Sequence, residues 1–436
     1  MHNPYNYHIA VRNDAMFFGR EKILKRLVSG LSATIPISTA VFGGRRIGKT
    51  SLLSKLARVL SGNIQAAGAR RFVPCILDLQ RGRPLTCSDD FLLWVLDEFG
   101  SVWERENNLE PGVIVDPLQT IYRSRASRGP VDAFVQAFQS LDKQGERIRL
   151  VILLDESEEI MAVEWGEDLR PNLRALLSNS PLVENIALVM AGATQMYRQI
   201  TEHDSPLENI MDRYPLSGLS HDAILALART PNEQRLPVAS AEEIWRQTGG
   251  HPCIAQYLLH KAWEAFDGQL QEITAEALQD IAETFDQRTH HFSTWTHTLG
   301  AAGAAAYHFL ATQETPITYP TLRKNLRELS AAQLQSTLDA LIYHGLVNSQ
   351  GRGRRCQYQV AGELYREWVF SLGETREQPE EAAALPQAHI IVHGDYIAGD
   401  LEIGSQIAIT GDGNIVGDES QTAVSKQQPV NDEEKP

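Results

Sequence analysis

Cysteine is scarce in this 436-residue chain: Cys75, Cys87, Cys253 and Cys356 stand apart, with no C-x-x-C pair. That spacing excludes a disulfide framework and a Cys-rich zinc site, and it fits a reducing, cytoplasmic setting. Long hydrophobic runs are missing too. No apolar stretch approaches the ~20 residues that a bilayer requires. The opening MHNPYNYHIAVRND lacks the charged start and apolar core of a secretory leader, so neither secretion nor membrane insertion is expected. Nor is there a basic excess, since 40 Lys/Arg against 55 Asp/Glu give −15. Most of the acidity is terminal: residues 373–436 hold 3 Lys/Arg and 13 Asp/Glu, a net of −10, which leaves −5 for residues 1–372. The overall charge therefore excludes no nucleic-acid surface on an earlier domain. What is present, 43% hydrophobic and 22% charged residues, suffices for two or three cored domains.

The chain is organised around GGRRIGKT at residues 43–50, which fits the phosphate-loop pattern G-x-x-x-x-G-K-[ST]. Ile37–Phe42 ahead of it reads as a short buried strand, and Ser51–Leu60 behind it has apolar residues at helical spacing. Gly43, Gly44 and Gly48 let the backbone wrap a phosphate without Cβ clashes, so that N–H groups of the loop, through Arg45, Arg46 and Ile47, and the start of the helix meet the anion. Lys49 then reaches the β and γ phosphates, Thr50 holds Mg²⁺, and Ser51 completes the cofactor-binding run.

A second signature lies at residues 148–156. IRLVILLDE is a near-continuous apolar run, as a central parallel strand requires, and it ends in two carboxylates. Asp155 is expected to hold Mg²⁺ and Glu156 to polarise the attacking water as a general base. Arg71–Leu79 reads as another buried strand, and Asn185–Ala191 as a third that ends beside Thr194. Ligands of α/β sheets sit beyond the carboxyl ends of the strands, which puts Thr194 in reach of a γ phosphate. FFGREKILKRL at residues 17–27 precedes the loop and places Arg20 where a segment would pack beside a nucleotide base.

Taken in order, FFGRE, GGRRIGKTSLL, VILLDE, VMAGATQMY, YPLSGLS and TGGHPCIAQYLL resemble the AAA+/STAND group of P-loop ATPases, in particular the prokaryotic branch with the RRIGKTSLL loop, over residues 14–372. The resemblance implies an α/β P-loop NTPase core with sheet order 5-1-4-3-2, the strand ending at Ala191 lying between the loop strand and the Asp155 strand. It also implies Arg20 beside the nucleotide, Thr194 in the first sensor place, Pro252 as the lid proline packed on adenine, and ATP/ADP with Mg²⁺ as cofactors. Pro252 independently fits the first turn of a helix, where its missing N–H costs nothing. No arginine finger stands in a recognisable motif; Arg198 and Arg213 follow the sensor strand, and hydrolysis is expected to be slow.

His290, His291 and His297 lie near Phe292 and Trp295 with no carboxylate or cysteine to complete a metal shell, and read as packing residues. Residues 301–372 pattern as three helices and two short strands around GRGRR, the winged-helix arrangement, with seven Lys/Arg against five Asp/Glu. Arg352, Arg354 and Arg355 would meet phosphates if this were a DNA reader. The third helix, however, shows Gln333, Gln335, Ser336, Thr337 and Asp339 and no cation, so protein contact ranks above DNA. Residues 373–387 read as a linker, 388–418 as Gly-Asp-punctuated β material with near repeats GDYIAGD and GDGNIVGD, and 419–436 as disordered. The Gly-Asp segment resembles the short tails of many bacterial STAND-type proteins, and is too small to stand alone. The expected organisation is an ATPase core over residues 1–235, a helical lid over 236–300, the winged helix over 301–372 and the tail. The expected function is an ATP-binding, slowly hydrolysing switch, with partner binding or self-association through the lid, winged helix or β segment. The alternative is an ATP-tuned DNA-binding initiator or regulator.

Overall fold

The computed structural model describes residues 3–62, 70–80, 85–141, 147–161, 163–193, 196, 199–200, 205–229, 236–351, 353–374, 407–408 and 416–417. Two compact units divide the chain, Met1–Gly373 and Glu374–Pro436.

In the first unit five parallel strands form one sheet: β1 (Ser38–Phe42), β2 (Arg71–Asp78), β3 (Ile148–Asp155), β4 (Ile186–Gly192) and β5 (Met211–Pro215), in the order β2-β3-β4-β1-β5. This is the 5-1-4-3-2 order expected, and β4 lies between β1 and β3 with Thr39 opposite Val189 and Leu153 opposite Val189 from the other side. All of β3 and β4 are buried, because helices cover both faces and a two-sided burial demands apolar residues at every position. On one face Leu52, Leu53 and Leu56 of α2 (Lys49–Gly62) and Leu27 and Leu31 of α1 (Glu21–Leu31) pack on Val41, Val151 and Val189. On the other, α3 (Ser88–Glu106), α4 (Val115–Arg125) and α5 (Pro130–Gln139) bring Phe91, Phe99, Phe134 and Phe138 onto Val73, Ile152 and Leu188. Two short helices, α6 (Glu158–Met161) and α7 (Trp165–Arg174), follow β3.

Three local expectations are adjusted. Ile37 stands outside β1 and is 43% exposed. The Arg71–Leu79 strand is the sheet edge, which accommodates Pro74 and leaves Ile76 40% exposed. β5, which was not singled out from sequence, carries exposed Asp212, Arg213 and Pro215 and so lacks the apolar run that marks the others.

After the sheet comes α8 (His221–Arg229), and the segment expected to be the lid holds α9 (Val238–Thr248), α10 (Pro252–Ala265), α11 (Ala275–Glu283) and α12 (Phe285–Thr289). A long element, α13 (His291–Ala311), then kinks at Gly300, whose φ of 66° suits a residue without Cβ, at the boundary expected between lid and C-terminal module. The module adds β6 (Ile317–Thr318), α14 (Tyr319–Asn325), α15 (Ala331–Tyr343), β7 (Val347–Gln350), β8 (Gln357–Val360) and α16 (Glu363–Glu374). Ser330 and Gln333 close a reciprocal capping box at the start of α15, and β6-β8-β7 form a small antiparallel sheet. Lid and module share one apolar core that includes Ile254, Tyr257, Trp295, Leu310, Leu338 and Tyr365. His291 stacks on Trp295 within it, 6.0 Å between centroids.

In the second unit, β9 (Ile407–Ala408) and β10 (Val416–Gly417) pair antiparallel, within the span expected to be β material. Among the described residues, no helix is long and apolar enough to cross a membrane.

Candidate functional site

At the carboxyl end of β1 the chain turns through Gly43–Gly48 and enters α2 at Lys49. The turn is tight for reasons of space: a Cβ on Gly43 would stand 2.8 Å from Ile47 Cγ2 and 2.9 Å from the Leu216 carbonyl. Gly48 has φ 101° and Arg46 φ 59°, so the loop spends left-handed conformations to aim its amides inward. Lys49 is buried, and its ammonium donates to the carbonyls of Gly43 and Gly44, both at 3.2 Å.

The acidic strand end faces this loop. Asp155 closes β3, is 3% exposed, and hydrogen-bonds the Thr50 hydroxyl and, at 3.1 Å, the Glu156 N–H. Burial raises its carboxyl above the ordinary range, against the pull of Thr50, Glu156 N–H and Lys49. Glu156 adopts φ 51°, a conformation that costs a residue with a Cβ energy. Its carboxyl is also raised, first by burial and then by Glu158 and Asp155, with Lys49 opposing. Glu158 accepts the Ala193 N–H at 3.0 Å and fills the space a side chain at Gly192 would need. It thereby ties the acidic tip to the end of β4. Thr50 and Asp155 offer oxygen donors side by side beneath a buried ammonium, the hard, oxygen-only pairing that suits Mg²⁺.

Beside the loop lies a cleft, open to solvent, lined by Phe17, Phe18, Leu219 and Leu227 together with Arg20, Gly48 and Pro252. Arg20 is 8% exposed and donates to the carbonyls of Ile47 at 3.2 Å and Ser217 at 2.5 Å, while burial lowers its guanidinium to about 10. Pro252 occupies the first turn of α10, as its chemistry predicts. The N-terminal segment straps this cleft: Arg46 donates to the Tyr7 carbonyl at 2.9 Å, and the Val11 N–H to Ser51 Oγ at 3.0 Å. Arg45 is exposed on the outer side of the loop.

The residues named from sequence thus meet: Arg20, Gly43–Ser51, Asp155, Glu156 and Pro252 surround one loop and one cleft. Thr194 and Arg198 lie outside the described residues. Arg213 is exposed on β5, which pairs with β1.

Sequence reasoning missed the C-terminal module's part. The end of α15 rests on the phosphate loop: the Gly44 N–H donates to the Tyr343 carbonyl at 2.8 Å, and the Tyr343 ring meets Phe42 edge-on at 5.0 Å. A Cβ on Gly44 would stand 2.7 Å from His344 Nδ1. Burial, followed by Lys49 and Arg45, lowers His344 to about 4, so its imidazole is neutral here. One layer further, a small gap lies between lid and module. Gln247, His251 and Tyr307 line it, each 1% exposed, and among the described residues Gln247 Oε1, both His251 nitrogens and the Tyr307 hydroxyl have no hydrogen-bond partner. His251 also stacks on Trp295 at 4.4 Å, and burial, then His344, lowers it to about 3. The only local signal for this docking was the Tyr-His-Gly turn after α15, where Gly345 takes φ 72°.

A family model described as novel STAND NTPase 1 matches residues 8–383. No curated protein matches the chain. Among solved structures, a Walker-type ATPase of Pyrococcus abyssi is 13% identical with a TM-score of 0.54, covering 83% of this chain and 99% of that one. The Aeropyrum pernix ORC2 protein in its ADPNP–ADP complexes is 15% identical with a TM-score of 0.45, covering 84% and 95%. The Aeropyrum pernix ORC1 protein in complex with DNA is 14% identical with a TM-score of 0.41, covering 82% and 93%. The first of these likenesses supports the fold.

Proposed function

The chain belongs to the novel STAND NTPase 1 family, and from that premise we propose that it is an ATP-operated switch whose C-terminal module docks on the phosphate loop in the closed state. The observation that carries the proposal is the hydrogen bond from Gly44 N–H to the Tyr343 carbonyl, 2.8 Å, with His344 packed over the same glycine. A loop that binds phosphate through its amides and the same loop holding a module through one of them make nucleotide state and module position compete for common donors.

In the roles proposed, Arg20 and Pro252 flank the base, Lys49 leaves its own carbonyls for the β and γ phosphates, and Thr50 and Asp155 hold Mg²⁺. The ion would neutralise phosphate charge. Glu156 accepts the proton of the attacking water, and Thr194 senses the γ phosphate from the end of β4. A carboxyl held up by burial and by Glu158 is protonated for part of the time near neutrality, which supports slow hydrolysis. Driving such a switch from 1:99 to 99:1 needs ~5.5 kcal/mol of preference. A few hydrogen bonds to charged groups, at ~1.5–3 kcal/mol each, suffice. On this reading residues 1–235 are the motor, 236–300 the lid and 301–372 a winged helix, and the Gly-Asp segment at 388–418 recruits a sister subunit or partner protein. The DNA-reading alternative is disfavoured because the end of α15 is spent on the phosphate loop.

Hydrogen exchange on the full chain tests the proposal. Segment 340–346 is expected to be protected with ADP and to lose protection in Glu156→Gln bound to ATP, whose γ phosphate competes for the Gly44 N–H. Equal protection in both nucleotide states would overturn it.

A further inference from the structure

We propose that Gln256 makes this site selective for adenine over guanine; the inference rests on the reading that the cleft beside the loop receives the base of a nucleotide. Gln256 follows Pro252 by four residues on α10, so both project from one helix face, and both line the cleft. Phe17, Phe18, Leu219 and Leu227 supply flat apolar area, which holds any purine and discriminates poorly between them. Of the polar side chains on the wall, Arg20 is committed to the Ile47 and Ser217 carbonyls, and Ser51 Oγ accepts the Val11 N–H.

Gln256 differs from both. It is 6% exposed, and its Oε1 accepts the Asn6 N–H at 3.1 Å. That bond fixes the orientation of the amide, because the flipped amide would set two donors against each other. Among the described residues its Nε2 has no hydrogen-bond partner. A buried amide with a fixed order of acceptor and donor therefore stands at the cleft, with two N–H groups and the second lone pair of Oε1 unspent. Adenine answers that order at its N1/N6 edge: N1 accepts from Nε2 while the N6 amino group donates to Oε1, the same donor and acceptor order that glutamine matches at the N6/N7 edge of adenine in duplex DNA. Guanine in the same pose sets O6 against Oε1 and N1–H against Nε2, two repulsive contacts. The N-terminal strap thus does more than cover the cleft, since Asn6 sets the amide that reads the base.

The test measures ADP, GDP and inorganic tripolyphosphate binding by calorimetry on the full-length protein, with Mg²⁺, for wild type, Gln256→Glu and Gln256→Leu. Gln256→Glu keeps an oxygen for Asn6 N–H and replaces the donor with an acceptor. Wild type is expected to prefer ADP over GDP by about tenfold to a hundredfold. Both variants are expected to lose most of that ratio, with tripolyphosphate affinity unchanged as the sign of an intact phosphate loop. An unchanged ADP/GDP ratio in both variants, or a wild type that binds both equally, overturns the inference and leaves the switch standing. A wild type that binds none of the three ligands overturns the nucleotide site itself, and the inference with it.

Discussion

The two ends of β3 each face a buried cation that rests on main-chain carbonyls, and they use it in opposite ways. At the amino end Arg149, 2% exposed, spends all five N–H donors: Nη1 on Leu31 at 2.5 Å and Ala33 at 2.6 Å, Nη2 on Thr34 and Glu184 at 2.8 Å, and Nε on Glu184 at 3.0 Å. Three segments distant in sequence are riveted by one planar fork, which matches several acceptors at once. Burial lowers its guanidinium only to about 10, so it stays charged. At the carboxyl end Lys49 holds two carbonyls of its own loop, and Asp155 lies across from it. The first cation has no further donor to give; the second rests on two carbonyls of a single loop, contacts that a phosphate would replace on the function proposed above.

Substitutions can break this contrast at either end. The largest effect is expected for Lys49→Ala, which should abolish nucleotide binding by calorimetry while leaving the melting temperature within a few degrees. Glu156→Gln should retain ADP and ATP binding and lower phosphate release by ~10²–10⁴-fold, the usual worth of a general base. Equal turnover in the two proteins would remove Glu156 from the chemistry. At the other end Arg149→Met should cost ~3–5 kcal/mol in urea unfolding, the scale for orphaning buried polar partners, with ADP affinity measured well below the transition unchanged. Loss of ADP affinity there would mean that the two ends are not separable.

A smaller effect follows from pH. His251 and His344 are lowered in the closed form to about 3 and about 4, so they stay neutral while the opened or unfolded chain takes up protons near 6.5. Closure is therefore fully favoured above about pH 6.5 and weakens as the pH falls from there toward about 4. Release of a fluorescent ADP analogue should quicken between pH 7 and pH 5.5 by roughly tenfold for each of the two histidines, one pH unit of a single shifted group being ~1.4 kcal/mol. His344→Gln should flatten part of that dependence. Smallest is Tyr307→Phe, which removes an unpartnered hydroxyl and should raise the melting temperature by roughly 2 °C, from ~1 kcal/mol.

What the sequence disclosed divides along the same line between local and distant. The phosphate loop, the acidic tip of β3 and the Pro252 helix start are each written in fewer than ten consecutive residues, and each was legible. The run IRLVILLDE also advertised Arg149, a lone cation inside a fully buried strand, but without its carbonyl partners from Leu31 to Glu184 it reads as a flaw in the pattern. Glu158 is one acid among several in ESEE, because its role comes from Ala193, just past the end of the neighbouring strand β4. Tyr343 and His344 lie some three hundred residues from Gly44, and nothing in a helix-ending Tyr-His-Gly states what the turn will touch. β5 was hidden for a different reason: an edge position asks for few apolar residues, and it has few.

The seam between lid and module leaves four polar atoms of Gln247, His251 and Tyr307 without a hydrogen-bond partner among the described residues, inside an otherwise apolar core. Each such atom forgoes hydration worth ~1–3 kcal/mol, so the interface adheres less strongly than its area suggests, and solvent entering there would be welcomed rather than resisted. Within the core that lid and module share, these four atoms mark the place where parting the two would cost least.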